Sequence, residues 1–349
     1  MARFALRAAL MLLGASAFSS ALPAAQPSLY QPITAHPLPA AGGIPSRGTR
    51  LILLGTAGGP SMRRNRSQPS SLLVVNGRPY LIDAGAGVTH QVVEAGFAPA
   101  EIHTIFLTHL HMDHTQGLAS LMAFTWSGTW GVKGREPIEL YGPPGTVLLT
   151  RYARRFDSIS EAIFAPEVAT PVPMRRLFHA HDLRLTGPTL VYRDRDVRVL
   201  AVPNTHYVTM KLPRRSYGID QSFAYRFETK DRTIVFTGDT GWSPAVVALA
   251  HGADILVSEI ILTKRVVAAI EHRPTAVPAA REALIRHMQA EHLSPEEVGR
   301  MASLAHVKMV VLTHLVPGAD GETDITPYVA GVRRYYSGPV ILGRDLDQF

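Results

Sequence analysis

The chain of 349 residues contains no cysteine. That absence excludes disulfides and thiolate metal sites, so any metal must be held by imidazole and carboxylate, a donor set suited to zinc, manganese or iron. Basic residues outnumber acidic ones, 35 to 28, for a formal net charge of +7, yet no five basic residues run together. A nucleic-acid partner is therefore not expected, because a clustered electrostatic footprint is missing. No internal repeat of solenoid type is visible. The apolar run Ala8 to Leu13 is too short to span a membrane, so the mature protein is expected to have no membrane span.

What is present is ample core material, with 46% hydrophobic residues. The first residues read as a secretory signal: Arg3 and Arg7 form a basic start, Ala8 to Leu13 an apolar core, and small residues follow at Ser19 and Ala21. We expect a signal peptide over 1–25, cleaved near Ala21 or Ala25, and a Pro/Gly/Ala-rich linker or arm over 26–48. The remainder, 49–349, would form the folded domain. The expected location is periplasmic or secreted, in a bacterium.

From there strands and helices alternate. LILLG at 51–55 is a strand leading into the loop TAGGPSMRRNRSQPS. SLLVV, Asn76-Gly77 and PYLID make a hairpin with a suitable two-residue turn. A helix is expected around Val88 to Ala95, a strand at 102–107, another at PIELY, and a helix through Leu148 and Arg155. VRVLAVPNTH, RTIVFTGDT, ADILVSEI and VKMVVLTH read as strands, and SPEEVGRMAS as a helix capped by Ser294 with Glu297 at the third position. The section 160–200 is the least legible. The alternation argues a layered α/β domain.

Candidate ligands recur where these strands end, the place where an α/β sheet opens its ligand crevice. The stretch THLHMDHTQG packs His109, His111, Asp113 and His114 into six positions on what reads as a tight loop. His206, Asp239 and His314 close three later strands. His109, His111 and His206 would hold one ion with a position left for water. Asp113, His114 and His314 would hold a second, with Asp239 bridging. Two ions sharing a hydroxide would supply a nucleophile at neutral pH, so two Zn2+ are expected, with Mn2+ or Fe2+ an alternative for one. Seven ligand-type residues exceed the four that close a structural zinc site, which argues against a non-catalytic module.

HLHMDH resembles the HxHxDH motif of the metallo-β-lactamase superfamily, and YLIDAG, His206, the GDT aspartate and the last TH follow that superfamily's order. The resemblance runs from about Arg50 to the C-terminus. It implies a four-layer αββα sandwich with a dinuclear metal site at the sheet edge, and it implies that Asp83 holds the metal loop by hydrogen bonds. LGTAGGPSMRRNRSQPSSLLVV, LYGPPGT and EHLSPEEVGRMASLAHVKMVVLTH are similar to segments of the ribonuclease Z-like branch, which includes tRNA 3′-processing enzymes, arylsulfatases and phosphodiesterases. On that resemblance His292 would donate to the leaving group and Glu259 would orient it, with Asp113 also counted as catalytic. The chain departs from the branch at Ser258-Glu259-Ile260, where relatives read His-Glu-Ala-Thr, and at His292-Leu293-Ser294, where they read His-Ser-Thr.

GTAGGP is not a dinucleotide fingerprint. It reads as a tight loop whose amides approach an anion beside Arg63, Arg64 and Arg66, or as a solvated basic loop; Arg214 and Arg215 carry the same two readings. TWSGTWGVKG (125–134) would roof the cleft or pack on itself. Specificity is expected in 125–195 and in the loop after His206. The resulting expectation is an exported dinuclear zinc hydrolase of a phosphodiester or sulfate ester, its partner a small anionic ester drawn in by the basic chain. The alternatives are a β-lactamase or lactonase, and second a tRNA 3′-end endonuclease, disfavoured by the signal and by the lack of a long basic, glycine-rich arm. The resemblance also allows a homodimer, although no helix face declares an interface in the sequence.

Overall fold

Leu51 and Leu53 face one apolar core and Ile52 and Leu54 another, because side chains alternate along the first strand, β1 (Thr49–Gly55). The computed structural model describes residues 47–130, 135–168, 172–274 and 277–349. The expected signal peptide and nearly all of the expected linker lie outside them. β2 (Ser70–Val75) and β3 (Arg78–Ile82) form the hairpin, with Asn76 at φ 50° and Gly77 at φ 81°, the left-handed pair that a two-residue turn needs. β4 (Thr104–Phe106), β5 (Ile138–Gly142) and β6 (Phe178–Asp182) continue this sheet in chain order. Its first two pairings are antiparallel and its other three parallel.

The second sheet runs β13-β12-β11-β10-β9-β8-β7. Its strands are β7 (Thr189–Arg193), β8 (Arg198–Pro203), β9 (Phe223–Glu228), β10 (Thr233–Phe236), β11 (Ile255–Ile261), β12 (Val310–Val316) and β13 (Val340–Leu342). Pairings are antiparallel from β7 to β10 and parallel from β10 to β13. The section that was least legible, 160–200, holds the end of helix Thr146–Phe164 together with β6 and β7.

Three apolar clusters define four layers. Between the sheets, Leu51, Leu53, Tyr80 and Phe106 meet Val199, Tyr225, Phe227 and Val257. Helices Val88–Glu94 and Leu118–Ser127 bury Val88, Val92, Leu118 and Met122 on the outer face of the first sheet. On the second sheet, helices Pro244–Ala250, Pro295–Leu304 and Thr326–Arg333 bury Val246, Val298, Met301 and Val332. Each such side chain contributes about 1.5–3 kcal/mol by leaving water. The architecture is the αββα sandwich expected. Among the described residues no helix is long and apolar enough to cross a membrane.

One helix face corrects the sequence reading. Helix Thr146–Phe164 leaves Tyr152, Phe156, Ile159 and Ile163 between 57% and 78% exposed, at a spacing that aligns them in one stripe. A helix face does declare itself, then, as apolar and open.

The C-terminal segment stitches itself to β1. Leu51 N donates to Phe349 O at 3.0 Å and Leu53 N to Asp347 O at 3.0 Å. Asp345 accepts from Thr56 N, Thr56 Oγ1, Ser67 N and Gln91 Nε2, which ties this segment to both ends of the glycine-rich loop. Burial raises the Asp345 pKa although these donors oppose the shift. Asp345→Ala would strand several donors, and a loss of about 3 kcal/mol in urea-unfolding stability is expected; an unchanged midpoint would show that the tie is dispensable.

Candidate metal centre

The cluster's side chains come from the segments just after strands, except His314, which was expected to close its strand but lies inside one that continues for two residues. His109 comes three residues after the end of β4, and His111 is the N-cap of the one-turn helix Met112–Thr115, which carries Asp113 and His114. The expected loop is thus part helix. The turn's tight winding, with His111 placed before it, lets residues two and three apart converge. His206 follows β8, Asp239 follows β10, and His314 lies within β12 at φ 45°. A non-glycine residue at such a φ is strained, and strain of this kind concentrates at functional positions.

These residues form two adjoining groups of potential ligand atoms, His109, His111 and His206 in one and Asp113, His114, Asp239 and His314 in the other, each within 4.8 Å. Asp239 stands between them: Oδ2 is 3.8 Å from His109 Nε2 and 3.0 Å from His314 Nε2, while Oδ1 is 3.4 Å from His114 Nε2. His206 Nε2 lies 3.1 Å from His111 Nδ1. All but the half-buried His111 are buried, with His109 and His206 fully enclosed.

The donor set fits divalent metal on two further observations. First, His109 Nε2, His114 Nε2 and Asp239 Oδ1 are buried without a hydrogen-bond partner. Buried polar atoms are seldom left so. Second, burial holds His109 and His206 well below the usual imidazole pKa, keeping their lone pairs free as ligation requires. Burial opposes ionisation of Asp113 and Asp239, but the neighbouring His114 and His314 outweigh it and hold both carboxyls low.

A surrounding layer of hydrogen bonds aims these ligands. Asp83, at φ 60°, accepts from Thr108 N at 2.7 Å and Thr108 Oγ1 at 2.9 Å, and pairs with His114 Nδ1 at 2.8 Å. His206 Nδ1 bonds to Glu291 O at 3.0 Å. Glu259, in β11, pairs with His292 Nδ1 at 2.7 Å and accepts from Thr240 N at 2.6 Å. His292 is only 6% exposed, so it is not a solvent-facing cap residue. Burial works against its charge, but the Glu259 carboxylate raises its pKa. The helix after it starts with the expected capping box of Ser294 and Glu297.

Other expectations separate. Arg66 Nη1 donates to Thr56 Oγ1 and Gly343 O, and Arg63 Nη2 to Pro317 O, so both brace the glycine-rich loop rather than offer themselves to an anion. Arg64 is exposed, and its amide bonds to Asp320. Arg214 and Arg215 are exposed, the latter in a turn closed by Gly218. The loop's amides are also engaged, Ala57 N with Ser67 O and Gly58 N with Leu315 O. Gly59 is needed for close approach, since a Cβ there would lie 2.0 Å from Asp113 Oδ2. Trp126 does not roof the cleft; it is buried in the outer helical layer and donates to Val172 O at 2.9 Å. Residues 131–134 of that segment lie outside the described ones.

Sequence reasoning missed a second imidazole–carboxylate pair beside the cluster. His287 Nδ1 bonds to Glu291 Oε2 at 2.7 Å, and Glu291 also accepts from Thr209 N. The His287 ring lies 5.4 Å from that of His206 and 5.1 Å from that of His292. Tyr207 packs its ring 5.3 Å from His111. The signal available was the four-residue spacing in HMQAEH, which faces the two side chains on one helix side.

The beta-lactamase superfamily domain matches residues 78–315. The ribonuclease Z of Mycolicibacterium paratuberculosis is 30% identical over 301 residues, covering 85% of this chain and 96% of the relative. Among solved structures, the metallo-beta-lactamase fold protein YhfI from Bacillus subtilis superposes with a TM-score of 0.59 at 18% identity, over 86% of this chain and 98% of that one. The short form of human tRNase Z does so with a TM-score of 0.59 at 22% identity, over the same shares. The chain belongs to the beta-lactamase superfamily and is a metal-dependent hydrolase. Within that superfamily it falls in the ribonuclease Z-like branch.

Asp83→Asn keeps the size of the side chain but weakens its hold on His114 and Thr108. A loss of about 10–100-fold in metal affinity is expected, measured by competition with a chromogenic chelator. Unchanged affinity would make Asp83 a turn former only.

Proposed function

We propose that the protein is an exported dinuclear zinc hydrolase that adds water across a phosphodiester, or a sulfate ester, releasing an alcohol. The position of Asp239 between two complete ligand groups carries this reading. His109, His111 and His206 would hold one ion and Asp113, His114 and His314 the other, with Asp239 shared. When bound, such a pair supplies a nucleophilic water at neutral pH and stabilises negative charge on the reacting group.

The chain's own residues supply the rest. Glu259 fixes the His292 tautomer by accepting at Nδ1, which leaves Nε2 to carry a proton to the departing oxygen. Asp83 and the Glu291 carbonyl hold the far nitrogens of His114 and His206, so those rings need no reorganisation. The cluster's burial excludes bulk water and strengthens each of these interactions. Export rests on the N-terminal segment alone.

A second reading, cleavage of tRNA at its 3′ end, is supported by relatives that bear the name ribonuclease Z. β-Lactam or lactone hydrolysis is the third. The zinc-loaded protein should be assayed with bis-p-nitrophenyl phosphate, p-nitrophenyl sulfate, a chromogenic cephalosporin and a precursor tRNA. Preference for an anionic ester is expected; turnover of the cephalosporin or the tRNA alone would replace the proposal. Asp113→Ala should abolish turnover. His292→Ala should slow alkyl leaving groups by about 100-fold or more and nitrophenolate far less; equal losses would give His292 a positional role only.

A further inference from the structure

Helix Pro278–Ala290 brings to the cluster a ring that stands outside both ligand groups. His287, in its last turn, lies 5.4 Å from the His206 ring, 5.1 Å from that of His292 and 6.3 Å from that of His111. One ring nitrogen each of His206, His287 and His292 falls within 4.8 Å of the other two. In all three rings Nδ1 is already engaged, by the Glu291 carbonyl, the Glu291 carboxylate and the Glu259 carboxylate respectively. His206 spends its Nε2 on the group it shares with His109 and His111, where it lies 3.1 Å from His111 Nδ1, so the three rings do not make a further metal site. Two nitrogens are left to spare, Nε2 of His287 and Nε2 of His292. Among the described residues neither has a hydrogen-bond partner.

The His287 pair is built into the site. A histidine and a glutamate four apart on a helix surface hold each other only weakly in water. Here the Glu291 side chain is fully enclosed, and besides His287 it accepts from Thr209 N at 2.7 Å and from Thr209 Oγ1. A buried carboxylate is costly unless it is paired, and this one is committed to fixing a single ring. The carbonyl of the same residue fixes His206, so one residue sets both His287 and a metal-type ligand. His287 keeps 16% of its side-chain surface and His292 7%, so both stay open to an incoming molecule. The loop after His206, where specificity was expected, reaches this pair through Thr209.

We propose that His287 belongs to the substrate site: its Nε2 binds a non-bridging oxygen of the phosphoryl or sulfuryl group while His292 serves the departing oxygen. The inference rests on the anionic-ester reading above and adds the contact that selects a tetrahedral anion. Each hydrogen bond spans about 2.9 Å, so donors this close can meet two oxygens of one tetrahedral group. Phosphodiesters and sulfate esters carry non-bridging oxygens at every stage of the reaction, and an imidazolium held by a carboxylate is a donor matched to their charge. No proton leaves His287.

Binding and metal content test this apart from turnover. Inorganic phosphate should be titrated calorimetrically into the metal-loaded protein, with the metal bound to each variant counted by atomic emission. His287→Asn keeps a donor where Nδ1 meets Glu291 but has none in the place of Nε2. Its phosphate affinity is expected to fall about tenfold or more, with the metal content unchanged. His287→Gln sets an amide donor near the place of Nε2 and should recover most of the affinity. His287→Leu replaces the asparagine variant should that one not fold. Unchanged affinity in the variant lacking the donor, a glutamine variant as weak as the asparagine one, or a loss of metal in step with the loss of phosphate would overturn the proposal, the last by making His287 a support of the ligands. A protein whose phosphate binding depends on His287 but that hydrolyses neither ester would keep the contact and lose the reaction proposed for it. Turnover of an anionic ester with binding indifferent to His287 would do the reverse.

Discussion

The pairing of buried imidazoles with buried carboxylates is what the molecule is arranged around. Asp113, Asp239, Glu259 and Asp83 are all nearly inaccessible, and an isolated carboxylate so placed would cost several kcal/mol. None is isolated. Asp83 meets His114, Asp113 and Asp239 meet His314, and Glu259 meets His292. Asp83 and His114 pair on the side of the first sheet and Asp239, Glu259, His292 and His314 on that of the second, while Asp113 reaches across to His314. Divalent metal would add to a frame already held by these hydrogen bonds and ion pairs.

That frame explains why so much was legible in the sequence. Buried strands end where the apolar run ends, and a histidine or aspartate just past such an end can turn into the crevice; His109, His206 and Asp239 follow that rule, whereas His314 lies inside β12, which runs on to Val316. Alternation of Leu51 to Leu54 and the Asn76-Gly77 turn are likewise local. What stayed hidden depends on contacts distant in sequence. His287 and Glu291 form a plain helical pair until helix Pro278–Ala290 is laid against His206. The arginines of the glycine-rich loop look like anion ligands until Gly343 and Pro317 arrive to accept from them. Amphipathic periodicity shows that Phe156 and Ile159 share a face, but not that the face is left open.

The two imidazole–carboxylate pairs outside the ligand set divide the labour. Glu259 and His292 come from β11 and the loop before helix Pro295–Leu304; His287 lies in the last turn of helix Pro278–Ala290 and Glu291 caps its end. Glu291 links the halves, its carbonyl on His206 and its carboxylate on His287.

Asp345 has a consequence of another kind. Its four accepted bonds hold Thr56, Ser67 and Gln91, and the loop between the first two carries the glycines that lie against Asp113 and His314. The last few residues are thus a latch on the catalytic crevice, although none of them reaches it. Removal of Asp345 and the residues paired with β1, or a fusion that pulled this strand away from β1, would loosen the crevice from behind and silence the enzyme while leaving every ligand in the chain.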